Sequence, residues 1–185
     1  RDSAGGSLAG QIHHEYFITQ EKLIETGLMN YFHEMTTKYW QTVLTNGNMW
    51  QYCDKKFEHG PHGFDYVCKV VSAWTVHQYE NEYNPIHWHK GHVSGVGYLK
   101  LPKTFGTTKQ PHDKKNQNGK LELIHGSRQF LSNSSIKITP ELGYFYFFPH
   151  YLMHAVFPFR DSKEERRSIS FNARIDEDIY NVYEQ

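Results

Sequence analysis

Three histidines of this chain stand where they could bind one metal ion. His87 and His89 are separated by a single residue, and His154 lies far downstream. Alternate side chains of a β-strand point to the same face, so a strand through residues 84–89 would direct both rings of the pair at one ion. Imidazole is a ligand for iron, copper, nickel and zinc. The spacing therefore predicts a metal site and leaves the identity of the metal open.

A strand with one polar face is predicted shortly after His154. Polar side chains occupy alternate positions of this segment, namely Arg166, Ser168, Ser170 and Asn172. Such a face is unusual for a strand in a packed core. An arginine followed two residues later by a serine can hold a carboxylate, because the guanidinium binds it through two hydrogen bonds and the hydroxyl adds another. The segment is therefore a candidate anion-binding element.

The composition shows no bias toward nucleic acid or membranes. The 20 Lys and Arg residues balance the 20 Asp and Glu residues of the 185-residue chain, so no net field would attract nucleic acid or an anionic lipid surface. Cys53 and Cys68 are too few for a disulfide framework and match no zinc pattern. The sequence contains no run of about 18 apolar residues, the feature that would predict a membrane span. These features lead us to expect a cytoplasmic protein.

The pattern of apolar residues predicts one helix followed by many short strands. Apolar side chains recur at three- and four-residue steps from Thr19 to Thr45, which predicts a helix over residues 19–46 that packs on the outside of a sheet. Aromatic and β-branched segments then predict strands within 64–79, at 94–101, 121–124, 129–131, 136–138, 144–148, 154–157 and 168–173. Short strands at close spacing are typical of a sandwich or barrel.

The predicted elements fit one domain over residues 1–185. Residues 1–12 are rich in Gly, Ser and Ala, so we expect a flexible segment without a functional role there. The strand-rich core is expected over residues 64–175. Residues 103–119 form a long polar loop inside this core, and such loops are often functional. We therefore predict that residues 103–119 are a lid over a substrate.

Four motifs in chain order resemble those of a known family. They are His87-Trp88-His89, Ser94 to Leu99, Phe148 to His154 and Glu165 to Asn172. Together they resemble the iron(II)- and 2-oxoglutarate-dependent oxygenases, in particular the prolyl-hydroxylase-like group found in phages and marine bacteria. The resemblance extends from about Val71 to Ala173. It implies a mainly β fold, the double-stranded β-helix, which is a jelly-roll or cupin-like barrel, with the N-terminal helix packed outside.

The resemblance also implies an iron-binding set. His87 and His154 take the positions of the family's two histidine ligands. His89 takes the position at which most of the family has aspartate. The usual set of two histidines and one carboxylate leaves coordination positions open for the co-substrate and oxygen. Three neutral imidazoles would leave the same positions open but would make the site more positive by one unit of charge.

Three arrangements stay open at position 89. In the first, which we prefer, His89 is itself a ligand. In the second, Glu82 or Glu122 completes the iron site and His89 supports it from outside. In the third, His92 replaces one member of the histidine pair.

The polar strand supplies the co-substrate site that the resemblance implies. Arg166 and Ser168 match the pair that binds the distal carboxylate of 2-oxoglutarate, and Tyr98 matches a tyrosine that often assists them. Arg167 would point to the other face of a regular strand. We therefore predict that Arg166 rather than Arg167 binds the co-substrate.

The resemblance implies an enzyme that hydroxylates an unactivated C–H bond and releases succinate and CO2. Its cofactors would be Fe(II), 2-oxoglutarate as co-substrate and O2, with ascorbate as a reductant. We expect a small-molecule or peptide substrate. A homodimer is one assembly that stays open. If a phage encodes the chain, we expect it in the host cytoplasm. Nothing in the sequence identifies the substrate that is oxidised.

Two other functions fit the same residues. A cupin-type dioxygenase or isomerase could use the three histidines without 2-oxoglutarate, and Arg166 would then bind the substrate. A noncatalytic jelly-roll protein could instead use its aromatic surface to bind a ligand. Formation of succinate from 2-oxoglutarate when iron is added would distinguish the oxygenase from both.

Overall fold

The computed structural model describes residues 3–4, 8–52, 67–109 and 115–177. Within these ranges the regular elements, in chain order, are β1 (His14–Phe17), α1 (Gln20–Glu25), α2 (Leu28–Thr45), β2 (Lys69–Gln78), β3 (Asn84–His87), β4 (Val93–Lys100), β5 (Leu121–Ile124), β6 (Ser135–Ile138), β7 (Phe145–Pro149), β8 (Met153–Val156) and β9 (Arg166–Arg174). An irregular helical segment, Asn46–Tyr52, follows α2. None of the described helices is long and apolar enough to span a membrane.

The strands form two antiparallel sheets. One has five strands in the order β1-β2-β9-β4-β7, and the other has four in the order β3-β8-β5-β6. From β2 to β9 the chain passes repeatedly from one sheet to the other, as it does in a jelly roll. The predicted mainly β, jelly-roll fold with helical structure outside it is confirmed.

The single helix predicted over residues 19–46 is in fact two helices. The side chain of Thr19 caps α1 by accepting a hydrogen bond from the backbone N–H of Lys22 at 3.3 Å. Between the helices, Gly27 has a φ of 76°, a left-handed conformation that glycine adopts without strain and that ends α1. The apolar spacing continues across Gly27, so the pattern predicted one continuous helix. The end of α2 at Thr45 agrees with the prediction.

The helices pack on one face of the five-stranded sheet, which we call the helix-covered face. Its core consists of buried side chains of β2, β4 and β9 together with Leu23 of α1 and Phe32 of α2. Phe32 stacks on Phe171 of β9 with ring centroids 4.2 Å apart and an interplanar angle of 10°. Gly95 lies beneath this stack, and a Cβ there would be 2.3 Å from the Phe171 ring. Glycine at position 95 is therefore required for the close approach.

Most of the predicted strands exist, with bounds shifted by a residue or two. The exception is the strand predicted over residues 129–131. Gln129 and Ser132 form only an isolated bridge around a turn, in which Phe130 is 92% exposed and Leu131 is 91% exposed. The apolar pair favoured a strand, but no second layer covers it. Strand β1 was not predicted, because it is only four residues long and lies next to a helix.

Candidate metal and co-substrate site

A cavity of about 180 Å³ lies between the two sheets. The four-stranded sheet contributes His87 from β3 and His154 from β8 to its wall, and the five-stranded sheet contributes Arg166 and Ser168 from β9. Val76 of β2 lies opposite Ser168 in the sheet register and lines the same wall. The side of the sheet that carries these residues is the cavity face, and it lies opposite the helix-covered face.

The structure brings the three predicted histidines together. His87 and His154 are direct partners in the antiparallel pairing of β3 with β8. One ring nitrogen from each of His87, His89 and His154 lies within 4.8 Å of the others, and no further residue of the described ranges joins this group. Directly opposed residues of an antiparallel pair place their side chains on the same face of the sheet. The register therefore explains why residues so distant in sequence converge.

His89 reaches the group by a route that differs from the predicted one. Strand β3 ends at His87, so His89 is not an alternate residue of that strand. Its backbone N–H donates to the carbonyl of His150 at 3.0 Å, which attaches this segment to the turn before β8. The chain then turns at Gly91, where φ is 111° and a Cβ would lie 2.9 Å from the backbone oxygen of Ala173. The turn at Gly91 directs the chain into β4.

Backbone contacts determine which nitrogen of two rings is available to a metal. Nδ1 of His87 lies 2.7 Å from the carbonyl oxygen of Pro85, and Nδ1 of His154 lies 2.9 Å from that of Leu152. A carbonyl oxygen only accepts, so each Nδ1 carries the proton and each Nε2 has a free lone pair. Metal-binding histidines in proteins usually have this arrangement. In His89, Nε2 lies 3.1 Å from Nε2 of His154.

The histidine rings are uncharged at neutral pH. Burial lowers the pKa of His89 to about 3 and that of His154 to about 4, and the neighbouring imidazoles add to the effect. Burial also lowers the pKa of His87. A protonated ring cannot bind a metal, so low pKa values keep the lone pairs available.

The other candidates for the third ligand are occupied elsewhere. Glu82 accepts hydrogen bonds from the backbone of Tyr79 at 2.8 Å and lies 2.6 Å from Nδ1 of His13. Glu122 accepts from the hydroxyl of Ser135 at 2.8 Å. His92 accepts from the backbone N–H of Ile175 at 3.0 Å. The geometry therefore favours His89 among the three arrangements.

Arg166 is a buried cation whose hydrogen bonding is incomplete. Its side chain is 2% exposed, and one terminal nitrogen donates to the side-chain oxygen of Gln78. The guanidinium lies 5.0 Å from the centre of the Tyr98 ring, within range of a cation–π contact. Among the described residues, the Nε of Arg166 and the hydroxyl of Tyr98 have no hydrogen-bond partner although both are buried. Unpartnered buried donors are costly, and a bound anion would satisfy them.

Arg167 has a different environment from its neighbour. It points to the opposite side of β9 and donates two hydrogen bonds, each of 2.8 Å, to the carboxylate of Glu165. Glu165 also binds Lys100 at 3.2 Å. Arg167 is thus already paired with a carboxylate, whereas Arg166 lines the cavity.

The histidine ligands fit iron(II), and the hydrogen-bond donors around Arg166 fit 2-oxoglutarate. Three neutral imidazole nitrogens on one wall suit a divalent transition metal. The unpartnered donors of Arg166 and Tyr98, with the buried hydroxyl of Ser168 on the same face, suit a carboxylate. Three of the four polar residues predicted on one face of β9, namely Arg166, Ser168 and Ser170, line the cavity.

Several cavity residues were missed by the sequence analysis. Leu8 and Ala9 line the wall although residues 1–12 were given no role, and Glu15, Trp74 and Trp88 line it as well. No motif marks these positions, because Glu15 and Trp74 reach the cavity through the pairing of β1, β2 and β9, and Trp88 reaches it from the loop after β3. By contrast, none of residues 103–109 and 115–119 lines this cavity, while residues 110–114 of the predicted lid lie outside the described residues.

A protein-family model matches the strand-rich part of this chain. The family model for 2OG-Fe(II) oxygenases, where 2OG denotes 2-oxoglutarate, matches residues 72–172, more than half of the chain. The match begins in β2 and ends in β9, so it includes all three histidines and Arg166. No curated protein matches the chain.

Similar solved structures include three oxygenases. A 2OG-Fe(II) oxygenase family oxidoreductase from Burkholderia pseudomallei is 14% identical with a TM-score of 0.45, over 61% of this chain and 47% of that one. A Pseudomonas putida prolyl-4-hydroxylase is 20% identical with a TM-score of 0.36, over 55% of this chain and 47% of that one. The viral collagen prolyl hydroxylase of Paramecium Bursaria Chlorella virus-1, solved with 2OG, is 14% identical with a TM-score of 0.45, over 86% of this chain and 77% of that one.

This chain spans about half the length of the first two of these proteins. The family model, by contrast, is matched by sequence over residues 72–172, a segment that contains the three histidines and the buried arginine. On that match, the chain belongs to the 2OG-Fe(II) oxygenase family.

Proposed function

We propose that this protein is an iron(II)- and 2-oxoglutarate-dependent dioxygenase that hydroxylates an unactivated C–H bond of a small-molecule or peptide substrate. One observation carries the proposal. Three neutral imidazoles converge on one wall of a cavity whose other wall holds Arg166, a buried cation with an unpartnered donor. A metal ion would bind the imidazole nitrogens of one wall, and a carboxylate would accept from the unpartnered donor of the other.

The three histidines would hold the iron. His87 and His154 present Nε2 because their Nδ1 protons are bound to backbone carbonyls. His89 must carry its own proton on Nδ1 to present Nε2. Nε2 of His89 lies 3.1 Å from Nε2 of His154, so both nitrogens are close enough to hold the same ion. Trp74, with its ring 5.4 Å from that of His89, packs against the group and limits access of water.

Arg166 would bind the distal carboxylate of 2-oxoglutarate. Gln78 orients the guanidinium by accepting from one terminal nitrogen, and the Tyr98 ring supports it from one side. Nε of Arg166 and the hydroxyl groups of Ser168 and Tyr98 are then the donors on offer. A carboxylate bound there would remove the cost of a buried, uncompensated positive charge.

When bound, iron and 2-oxoglutarate supply the oxidising chemistry, in which O2 converts 2-oxoglutarate to succinate and CO2 and leaves a hydroxyl group on the substrate. The chain itself orients the reactants and excludes water. Buried apolar side chains serve the second task, with Val76 and Phe148 both 4% exposed at the cavity wall. Exclusion of water matters because it strengthens the contacts that position charged ligands.

An anaerobic titration tests this function. Addition of iron(II) and 2-oxoglutarate to the wild type should produce the weak visible charge-transfer band of the chelate. His154→Ala should weaken iron binding by more than about 100-fold and abolish the band, because loss of a direct ligand exceeds the effect of losing a residue that supports one. His33→Ala, which changes an exposed histidine of α2, should leave the band unchanged.

The same titration examines position 89. If His89 is a ligand, His89→Asp should retain the band and His89→Ala should lose it. The proposal fails if the wild type gives no band, or if the band survives His154→Ala at full strength.

A cupin-type dioxygenase that does not use 2-oxoglutarate is the second candidate. The observation in its favour is that the metal-binding group among the described residues contains three histidines and no carboxylate. In that enzyme Arg166 would bind the substrate directly. Succinate formed from labelled 2-oxoglutarate in the presence of iron would exclude it, and oxygen uptake without succinate would support it.

Three further expectations stay predictions. They are the use of ascorbate as a reductant, assembly into a homodimer, and a cytoplasmic location. Stimulation by ascorbate in a succinate assay and light scattering of the purified chain would test the first two.

A further inference from the structure

Glu15 is a buried carboxyl group with an unpartnered oxygen at the cavity. It lies on β1 opposite Val76, which in turn lies opposite Ser168, so its side chain shares the cavity face with these two residues. The residue is 1% exposed and lines the cavity. Its Oε2 is buried and has no hydrogen-bond partner among the described residues. Neither the metal site nor the co-substrate site uses this group.

Asn84 offers a second unpartnered acceptor beside it. This residue begins β3, the strand that carries His87, and its side-chain oxygen is also buried without a partner in the described part of the chain. Both groups converge on Gly10, where a Cβ would lie 2.4 Å from Oδ1 of Asn84 and 3.0 Å from Oε1 of Glu15. Two buried acceptors therefore face a common region, and no donor of the described residues bonds to either orphan oxygen.

This acceptor pair lies apart from the co-substrate end of the cavity. Glu15 and Ser168 are separated by β2, and two strand spacings of about 4.8 Å place their backbones about 10 Å apart. Arg166 bonds to Gln78 rather than to Glu15. The cavity thus has donors at one end and acceptors at the other.

We propose that Glu15 and Asn84 form a subsite for a positively charged, N–H-bearing group of the substrate, such as an ammonium or guanidinium group. The proposal rests on the proposed function, since it names the class of substrate that the oxygenase would accept. An ammonium or guanidinium has only donors, and it would satisfy both acceptors at once. The apolar side chains of Leu8, Trp74 and Val76 on the same wall would contact the hydrocarbon part of such a substrate.

The electrostatic state of Glu15 agrees with this role. Burial raises its pKa to about 7, and the nearby carboxylate of Glu82 adds to the rise. The ionised form is therefore costly in the free protein, and a cation bound beside it would offset the cost. A metal-ligand role is less suitable, because Glu15 does not belong to the group whose ligand atoms lie within 4.8 Å of one another.

Calorimetry with matched probes tests the subsite. The full chain, both metal-free and loaded anaerobically with iron(II) and 2-oxoglutarate, is titrated with n-butylammonium chloride and with 1-butanol, which has nearly the same shape and no charge. We expect the wild type to bind butylammonium at least about tenfold more tightly than butanol, because hydrogen bonds between charged groups are stronger than those of a neutral hydroxyl. Glu15→Gln should abolish this preference, and Glu34→Gln, which changes an exposed carboxylate of α2, should leave it intact.

A second variant keeps the test decisive. Asn84→Leu removes the neighbouring acceptor without touching the carboxyl group, and it should lower the preference for butylammonium several-fold. If Glu15→Gln does not fold, as judged by circular dichroism, the Asn84→Leu result decides alone. An unchanged preference in Asn84→Leu or in folded Glu15→Gln overturns the proposal, as does a wild type without any preference.

The charge-transfer band separates this proposal from the proposed function. Glu15→Gln should retain the band of iron(II) with 2-oxoglutarate. Loss of the band in this variant would place Glu15 in the metal site and overturn the subsite, while the oxygenase function would stand. If the wild type gives no band but prefers butylammonium through Glu15, the oxygenase function falls and the cation subsite is supported.

Discussion

The two faces of the five-stranded sheet are built from alternate residues of the same strands, yet they differ in how completely their groups are satisfied. On the helix-covered face, Phe171 stacks on Phe32 at 4.2 Å and Ile169 is 2% exposed in the same core. On the cavity face, Arg166 and Tyr98 have buried donors to which no described residue bonds. Both faces are buried, but the first is built mainly from apolar side chains, whereas the second carries a buried guanidinium and a buried phenol that lack partners among the described residues.

The two faces therefore have different roles, because one stabilises the fold and the other binds a ligand. Apolar contacts on the helix-covered face stabilise the fold in the absence of any ligand. The polar groups of the cavity face weaken it until a ligand binds, because each buried, unpartnered group keeps its desolvation cost. An incomplete polar face on a well-packed sheet is thus a signature of a binding site.

The largest expected effect comes from a change on the helix-covered face. Phe171→Ala should lower the free energy of unfolding by about 3–5 kcal/mol, because it removes a buried ring and leaves a cavity beneath α2. Urea denaturation measures the change. The control is Phe130→Ala, which removes a ring that is 92% exposed and should change stability by less than about 0.5 kcal/mol. Equal losses in the two variants would mean that the helix-covered face is not the stabilising core.

Changing the incomplete face should affect binding more than stability. Arg166→Lys keeps the charge but removes the planar donors, so we expect the KM for 2-oxoglutarate to rise by about 10- to 100-fold, equivalent to about 1.4–2.8 kcal/mol. Succinate formation at varied 2-oxoglutarate measures it. Arg167→Lys is the matched control on the other side of β9 and should change the KM by less than about twofold. An equal effect of both variants would contradict the assignment of Arg166.

A pH dependence of stability is expected to arise from Glu15. Its pKa is raised from 4.5 in the unfolded chain to about 7 in the fold, so the folded state holds a proton that the unfolded state releases between these values. Stability should therefore fall as pH rises through this window, by up to about 1.4 kcal/mol per pH unit. Glu15→Gln removes this loss.

Urea denaturation of both proteins at pH 4.5 and pH 8 measures the effect of Glu15. The free energy of unfolding of Glu15→Gln, relative to that of the wild type, should be higher at pH 8 than at pH 4.5. The buried histidines are the same in both proteins, so their contributions cancel in this difference. A difference that is the same at both pH values would show that Glu15 is not held in its protonated form by burial.

Much of this architecture was predictable because it depends on local periodicity. Alternation in β9 predicted that Arg166 and Ser168 share a face, and the strands from β4 onward follow from short β-branched and aromatic runs. The interruption at Gly27 was missed, because one left-handed residue changes the chain direction without changing the apolar spacing. The exposed pair Phe130 and Leu131 was misread for the opposite reason, since apolar character alone does not reveal whether another layer covers it.

The sequence by itself determined the types of chemistry available: imidazoles that can bind a metal, an arginine and serine on one face of a strand, and the chain order of motifs that resembles the oxygenase family. Local periodicity decides which side chains share a face, so these inferences needed no fold. Only the tertiary structure decided that His154 stands opposite His87, that His89 arrives from a loop rather than from the strand, and that Glu15 and Asn84 meet in the same cavity. These contacts depend on long-range strand pairing, and no local pattern in the sequence encodes which distant strands become neighbours.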